Sequence, residues 1–235
     1  MKLILLSGLD GTGKLFAPFI ALLPQNIETQ TITYPTDRVL SYEELIILVT
    51  KQLPKKKKFI LLAESFSGYI AYQIALQRPK NLISLIFVAT FLENPRPFLS
   101  KFLPIIPMRL ILSLPMPRFI AKNFLLRENA MIKLLQETLK EIPSKILYYR
   151  LLEITKLPEA TQSVEIKAIY IQATKDKLVP FKAYEVFERL FFGIKRFEVE
   201  GSHLILQENS QETARLVERF IIHFKELNTT HQQSQ

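Results

Sequence analysis

Phe59-Ile60-Leu61-Leu62-Ala63-Glu64-Ser65-Phe66-Ser67-Gly68-Tyr69-Ile70-Ala71-Tyr72 constrains this chain more than any other stretch. An apolar run of strand length stops in small and polar residues, and a helical pattern begins at once and runs to about Arg78-Pro79. A strand that becomes a helix with no loop between leaves few geometries open. The one that fits is a tight elbow with Ser65 at its tip, where a strained backbone lifts the hydroxyl clear of the sheet. Such a turn tolerates only small residues two positions to either side, here Ala63 and Ser67. Ser67 is the rival nucleophile, but its flanks would be Ser65 and Tyr69, and Tyr69 is too bulky. The stretch departs from G-x-S-x-G by placing Ala63 and Ser67 where glycines often stand. A serine at a strand end also occurs as an ordinary helix N-cap.

The rest of the chain reads as alternating strands and helices. Lys2–Ser7 is a strand entering the loop Gly8-Leu9-Asp10-Gly11-Thr12-Gly13, and Lys14–Leu23 a helix stopped by Pro24. Thr29–Thr33 is a short strand. Ser41 with Glu44 three residues on forms a capping box for a helix to about Leu53. Leu82–Ala89 is apolar enough to be buried on both faces. Between Phe91 and about Thr161 the texture changes: Pro95, Pro97, Pro104, Pro107, Pro115 and Pro117 crowd the first part, and helical segments follow near Arg118–Leu126, Ala130–Glu141 and Ser144–Lys156. Ala168–Ala173 returns to strand texture, followed by a helix over Phe181–Leu190, a last strand at Lys195–Val199 and an amphipathic helix over Gln211–Glu226. Asn228–Gln235 reads as a frayed tail. This alternation predicts a parallel sheet covered by helices on both faces.

Composition narrows the function. At 235 residues, 48% apolar, the chain suits one domain with an insertion and is neither disordered nor fibrous. With no cysteine it holds no disulfide and no thiolate metal site, which fits a reducing, cytoplasmic setting. The opening apolar run meets Gly8 and Asp10 too soon for a signal core, and no stretch approaches the ~20 apolar residues of a membrane span. The net charge of +9 is scattered. Its densest run, Lys55–Lys58, falls at the far end of the sheet from Ser65, and no nucleic-acid-reading motif accompanies it. Attraction to an acidic carrier protein or an anionic surface stays open.

A serine needs a base to take its proton and a third group to orient that base. His231 lies in the tail and His223 on an amphipathic helix, whereas His203 follows the last strand after Gly201-Ser202. Asp37 and Asp10 sit in early loops, and Asp176 follows the Ala168–Ala173 strand. Parallel strands align their C-terminal ends, so Ser65, Asp176 and His203 share the rim where ligands bind in such sheets. Read singly, Asp176 is also a helix cap and His203 a loop histidine. The order Ser, Asp, His argues for a catalytic set. An oxyanion needs donors, which the backbone N–H groups of Phe66 and Leu9 supply. Gly8, Gly11, Gly13, Gly68 and Gly201 flank these turns. No cofactor and no metal is called for.

The loop Gly8–Lys14 also matches the G-x-x-x-x-G-K of a phosphate-binding loop. Leu15 then stands where a magnesium-binding Ser or Thr belongs, and that reading leaves Ser65, Asp176 and His203 without a role.

On these residues the chain resembles the α/β-hydrolase superfamily along nearly its whole length, as a small serine esterase or thioesterase. Ser7-Gly8-Leu9-Asp10-Gly11 resembles the family's oxyanion loop, with Ser7 in place of the common histidine. Ser65 matches the nucleophile, Asp176 the acid and His203 the base. The resemblance implies a reduced α/β-hydrolase fold with a mostly parallel six-stranded sheet, lacking the family's first two strands. It divides the chain into a core part at 1–90, a helical lid at 91–161, a second core part at 162–227 and a flexible tail at 228–235. The apolar, basic lid implies an acyl ester or thioester, free or on an acidic carrier. A non-catalytic protein that binds an apolar ligand in the lid pocket is the other reading. Glu64, beside the nucleophile, either tunes the site or meets solvent or a loop partner, and the second is the expectation.

Overall fold

A computed structural model describes residues 1–100 and 129–233, with side chains placed for 1–98 and 131–224. Six strands form one parallel sheet: β1 (Lys2–Leu6), β2 (Glu28–Ile32), β3 (Phe59–Glu64), β4 (Leu82–Val88), β5 (Ala168–Ala173) and β6 (Lys195–Val199), in the order β2-β1-β3-β4-β5-β6. The chain moves outward from β1 to β2 and then returns to pair β3 on the other side of β1. That reversal opens a crevice at the C-terminal ends of β1 and β3, the place where open parallel sheets bind ligands.

Strand alternation divides the core in two. Phe59, Leu61 and Ala63 of β3 face a cluster with Tyr42, Leu45 and Val49 of α2 (Tyr42–Gln52), Ile70 and Ile74 of α3 (Gly68–Leu76), and Phe187 of a later helix, Ala183–Leu190. Ile60 and Leu62 point the other way, against Phe19 of α1 (Ala17–Ile20) and Val217 and Ile221 of the last helix. All six residues of β3 are buried, as a central parallel strand covered on both faces must be.

The capping box is present: Ser41 Oγ accepts from the Glu44 N–H at 3.3 Å, and Glu44 Oε2 accepts from the Ser41 N–H at 2.8 Å. The helix expected over Lys14–Leu23 is broken. A 3-10 turn spans Lys14–Phe16, and α1 covers only Ala17–Ile20, with Pro18 in its first turn. Proline fits a helix start but cannot continue one from upstream. Within the insertion, α4 (Pro97–Ser100), α5 (Asn129–Lys140) and α6 (Ser144–Thr155) are helical. Among the described residues of 91–161 there is no strand. The segment expected at Arg118–Leu126 lies outside the described residues. After α7 (Ala183–Leu190) and α8 (Ile205–Glu208), α9 runs over Ser210–Gln233, beyond the expected end at Glu226 and into the stretch expected to be a frayed tail. Among the described residues, no helix is long and apolar enough to cross a membrane.

Candidate active site

Ser65 stands at the turn from β3 into α3 with φ 52°, a left-handed conformation costly for a residue with a Cβ. The turn is tight because α3 starts against the end of β4. A Cβ on Gly68 would lie 2.1 Å from Thr90 Oγ1 and 2.8 Å from the Phe91 carbonyl, so only glycine fits there. Thr90 Oγ1 in turn donates to the Ser65 carbonyl. Ser65 Oγ lies 2.8 Å from His203 Nε2, and His203 Nδ1 lies 2.8 Å from Asp176 Oδ2. Asp176 Oδ1 accepts the N–H groups of Leu178 at 2.8 Å and Val179 at 2.9 Å. These bonds leave the Asp176 side chain wholly buried and aim its other oxygen at the ring.

The loop carrying His203 is tied to the loop carrying Asp176. The Lys175 N–H donates to the Gly201 carbonyl at 2.8 Å, and Glu208 Oε2 accepts from the Ser202 N–H at 2.7 Å. Burial disfavours a charged His203, but the Asp176 carboxylate, by charge and hydrogen bond, and then Glu64 outweigh it and hold the ring above its usual pKa. The other candidates stand apart. His223 is exposed on α9, Asp37 is exposed, and Asp10 is turned onto Thr12. The side chain of His231 lies outside the described residues.

Ser67 is a structural serine in this arrangement. It is fully buried, donates to the Ser7 carbonyl and lies 2.6 Å from the Tyr34 hydroxyl. Ser7, where a histidine is common, has its own hydroxyl on the Ile32 carbonyl at 3.0 Å. The loop after β1 is thus sewn to β2 on one side and to the elbow on the other. Phe66, expected to supply an oxyanion donor, is held by Tyr42, whose ring stacks on it at 4.6 Å and whose hydroxyl donates to its carbonyl at 3.1 Å.

Arg150 is a site-shaping residue that sequence reasoning missed. This buried residue of α6 reaches the loop Gly8–Gly13, where Nη1 donates to the Leu9 carbonyl at 2.8 Å and the Asp10 carbonyl at 2.7 Å. Nη2 donates to the Pro35 carbonyl at 2.9 Å, and the guanidinium lies 5.7 Å from the Tyr34 ring centre. A Cβ on Gly11, at φ 73°, would sit 2.5 Å from Nη1. The same helix places Glu153 Oε2 3.0 Å from the Tyr42 N–H, at the start of α2. The lone textual cue was an arginine inside an apolar helical segment, and nothing in it pointed to a loop 141 residues away. Glu64 also corrects expectation: it is buried, not solvated, and meets Gln207.

The phosphate-loop reading fails on the loop's own bonding. The N–H of Gly11 goes to the Gly8 carbonyl, that of Thr12 to Asp10, that of Lys14 to Thr12 Oγ1 and that of Phe16 to the Gly13 carbonyl. A phosphate cradle needs those donors free. Lys14 Nζ is paired with Glu141 Oε1 at 2.6 Å.

Comparison with known proteins agrees with this architecture. Residues 36–209 match the family model described as serine aminopeptidase, S33. Among curated proteins, none matches the chain by sequence. Solved structures share the fold at low identity. ClbQ from the colibactin NRPS/PKS pathway is 13% identical, with a TM-score of 0.68 over 96% of this chain and 98% of that one. A lipase-esterase related protein from Clostridium acetobutylicum ATCC 824 is 15% identical, with a TM-score of 0.76 over 93% and 94%. The enol-lactonase from Burkholderia xenovorans LB400 is also 15% identical, with a TM-score of 0.74 over 94% and 91%. The chain belongs to the serine aminopeptidase S33 family of α/β hydrolases.

Proposed function

We propose that the protein is a serine hydrolase that cleaves a carboxylic acyl ester or thioester through an acyl-Ser65 intermediate. The observation that carries this reading is the unbroken bonded series from Ser65 Oγ through His203 to Asp176, each link 2.8 Å, with Ser65 on a strained turn. Ser65 Oγ attacks the acyl carbon while its proton passes to His203 Nε2, and the carbonyl electrons become an oxyanion held by the N–H groups of Leu9 and Phe66. As the carbonyl re-forms, the bond to the leaving oxygen or sulfur breaks, and His203 hands that atom the proton. Water then adds to the acyl-serine with His203 again as base. The second tetrahedral species expels Ser65, which recovers the proton, and the free acid leaves. Asp176 keeps the proton of the neutral ring on Nδ1, so that Nε2 faces Ser65 with its lone pair.

The ester or thioester class draws on the apolar stretch Phe98–Leu112 and on the likeness to structures of the same fold, a lipase-esterase related protein and an enol-lactonase among them. An acyl group borne on an acidic carrier is the narrower form. It draws on the likeness to ClbQ of an NRPS/PKS pathway and on the net charge of +9. The test is a panel of p-nitrophenyl esters and acyl-coenzyme A thioesters of graded chain length. Turnover that Ser65→Ala abolishes supports the reading. An inert panel, with a fatty acid nonetheless raising the melting temperature, replaces it with the non-catalytic binder.

A further inference from the structure

Glu64 ends β3 immediately before Ser65, and its surroundings leave it half satisfied. Its Oε2 accepts from Gln207 Nε2 at 3.3 Å, while its Oε1 and the Oε1 of Gln207 are buried with no hydrogen-bond partner. A carboxyl in this state is a standing cost to the fold, since buried polar groups are ordinarily paired. Three elements pack against it. The oxyanion loop brings Asp10 and Gly8, where a Cβ would lie 3.8 Å from Glu64 Oε2. The helix α8 brings Gln207, and the loop after β6 brings His203, whose Nε2 lies 2.8 Å from the Oγ of Ser65, the residue next to Glu64. Among the described residues, His203 is the group acting on Glu64 that can carry a positive charge.

We propose that the Glu64 carboxylate is a second acidic positioning residue for His203, one whose attraction is drawn on when the ring takes the Ser65 proton. The proposal rests on the serine-hydrolase reading above. Asp176 bonds to the ring and sets its tautomer, whereas Glu64 acts through space across a buried interior. While the ring is neutral, the Glu64 charge has no counter-charge. Once the proton moves, the imidazolium supplies one, so the attraction is stronger in the charge-separated state than in the resting state and lowers the barrier between them. Asp10 works against this by repelling Glu64. The developing oxyanion is also repelled by Glu64, so the sign of a charge-removing substitution reads which interaction wins.

Titration supplies a signature. Burial pushes Glu64 up to about 7, with His203 drawing it down, Asp10 adding to the rise and the Gln207 bond opposing it. Glu64 in turn helps hold His203 above its usual value. The two groups titrate as a coupled pair, and the apparent pKa values belong to the pair. A neutral His203 is needed for attack. Removing the Glu64 charge lets the ring lose its proton at lower pH, so the acid limb of the rate moves to lower pH.

The experiment measures the rate at which a fluorophosphonate labels Ser65 between pH 5 and pH 9 in the native chain, Glu64→Gln and Glu64→Asp. In Glu64→Gln the acid limb is expected to move down by about half a pH unit or more, with the plateau rate falling ~10-fold. Glu64→Asp recovers part of both. A Glu64→Gln protein with native melting behaviour and an unmoved limb, or a faster plateau, overturns the proposal. If the native chain itself takes no label, the hydrolase reading falls instead, and the two failures are told apart.

Discussion

The two halves of the reactive rim are held by different means. At β1 and β3, the loop Gly8–Gly13 and the elbow depend on partners far along the chain: Tyr34 and Ser7 on Ser67, Tyr42 on Phe66, and Arg150 of the insertion on the carbonyls of Leu9 and Asp10. At β5 and β6, the loops carrying Asp176 and His203 hold each other. Asp176 is met by Leu178 and Val179, Lys175 by Gly201, and Ser202 by Glu208. The insertion reaches this half as well, but through half-exposed Arg96, whose Nη2 and Nε donate to the carbonyls of Lys177 at 2.6 Å and Leu178 at 3.1 Å. One half is braced from outside; the other is closed on itself. The insertion is therefore part of the site's framework.

Substitutions can break this contrast, and the largest effect belongs to the self-contained half. Asp176→Asn replaces an acceptor by an amide that presents a donor to the ring, favouring the wrong tautomer, and the labelling rate of Ser65 is expected to fall by ~10⁴. Its melting temperature stays close to native if one Asp176 oxygen still accepts from Leu178 and Val179. Next comes Arg150→Met on the braced half. It strips three carbonyls of their donor, one buried and two part-buried, and ester turnover should drop ~10²-fold with a stability loss of about 2 kcal/mol, read by denaturant unfolding. Smallest is Arg96→Met, whose partners can turn to water. Stability is expected to change within ~0.5 kcal/mol and turnover within ~3-fold. If Arg96→Met proved as damaging as Arg150→Met, the two halves would not differ in the way described.

What the sequence made legible follows the same line. The elbow, the capping box at Ser41 and the strand Lys195–Val199 are short-range signals, and each appears where its residues predict. That Ser65, His203 and Asp176 meet was readable because parallel strands bring their ends to one rim and the chain holds few histidines. Arg150 was not readable, because its partners are loop carbonyls, which any sequence supplies. The placement of Glu64 was half visible: Phe59–Glu64 reads as a buried strand, but that its last residue stays inside depends on Gln207, 143 residues on. The broken helix after Gly13 shows the reverse, a local cue underweighted. Pro18 sits where it starts a new helix and interrupts the one expected from Lys14.

The central claim is that Ser65 is the activated nucleophile and Ser67 its structural neighbour. The direct measurement is the mass of the active-site peptide after fluorophosphonate treatment of the native chain, Ser65→Ala and Ser67→Ala. The account predicts one adduct on Ser65 in the native protein, none in Ser65→Ala, and a retained adduct in Ser67→Ala. An adduct that persists in Ser65→Ala and disappears in Ser67→Ala, or a native chain that takes no label, contradicts it.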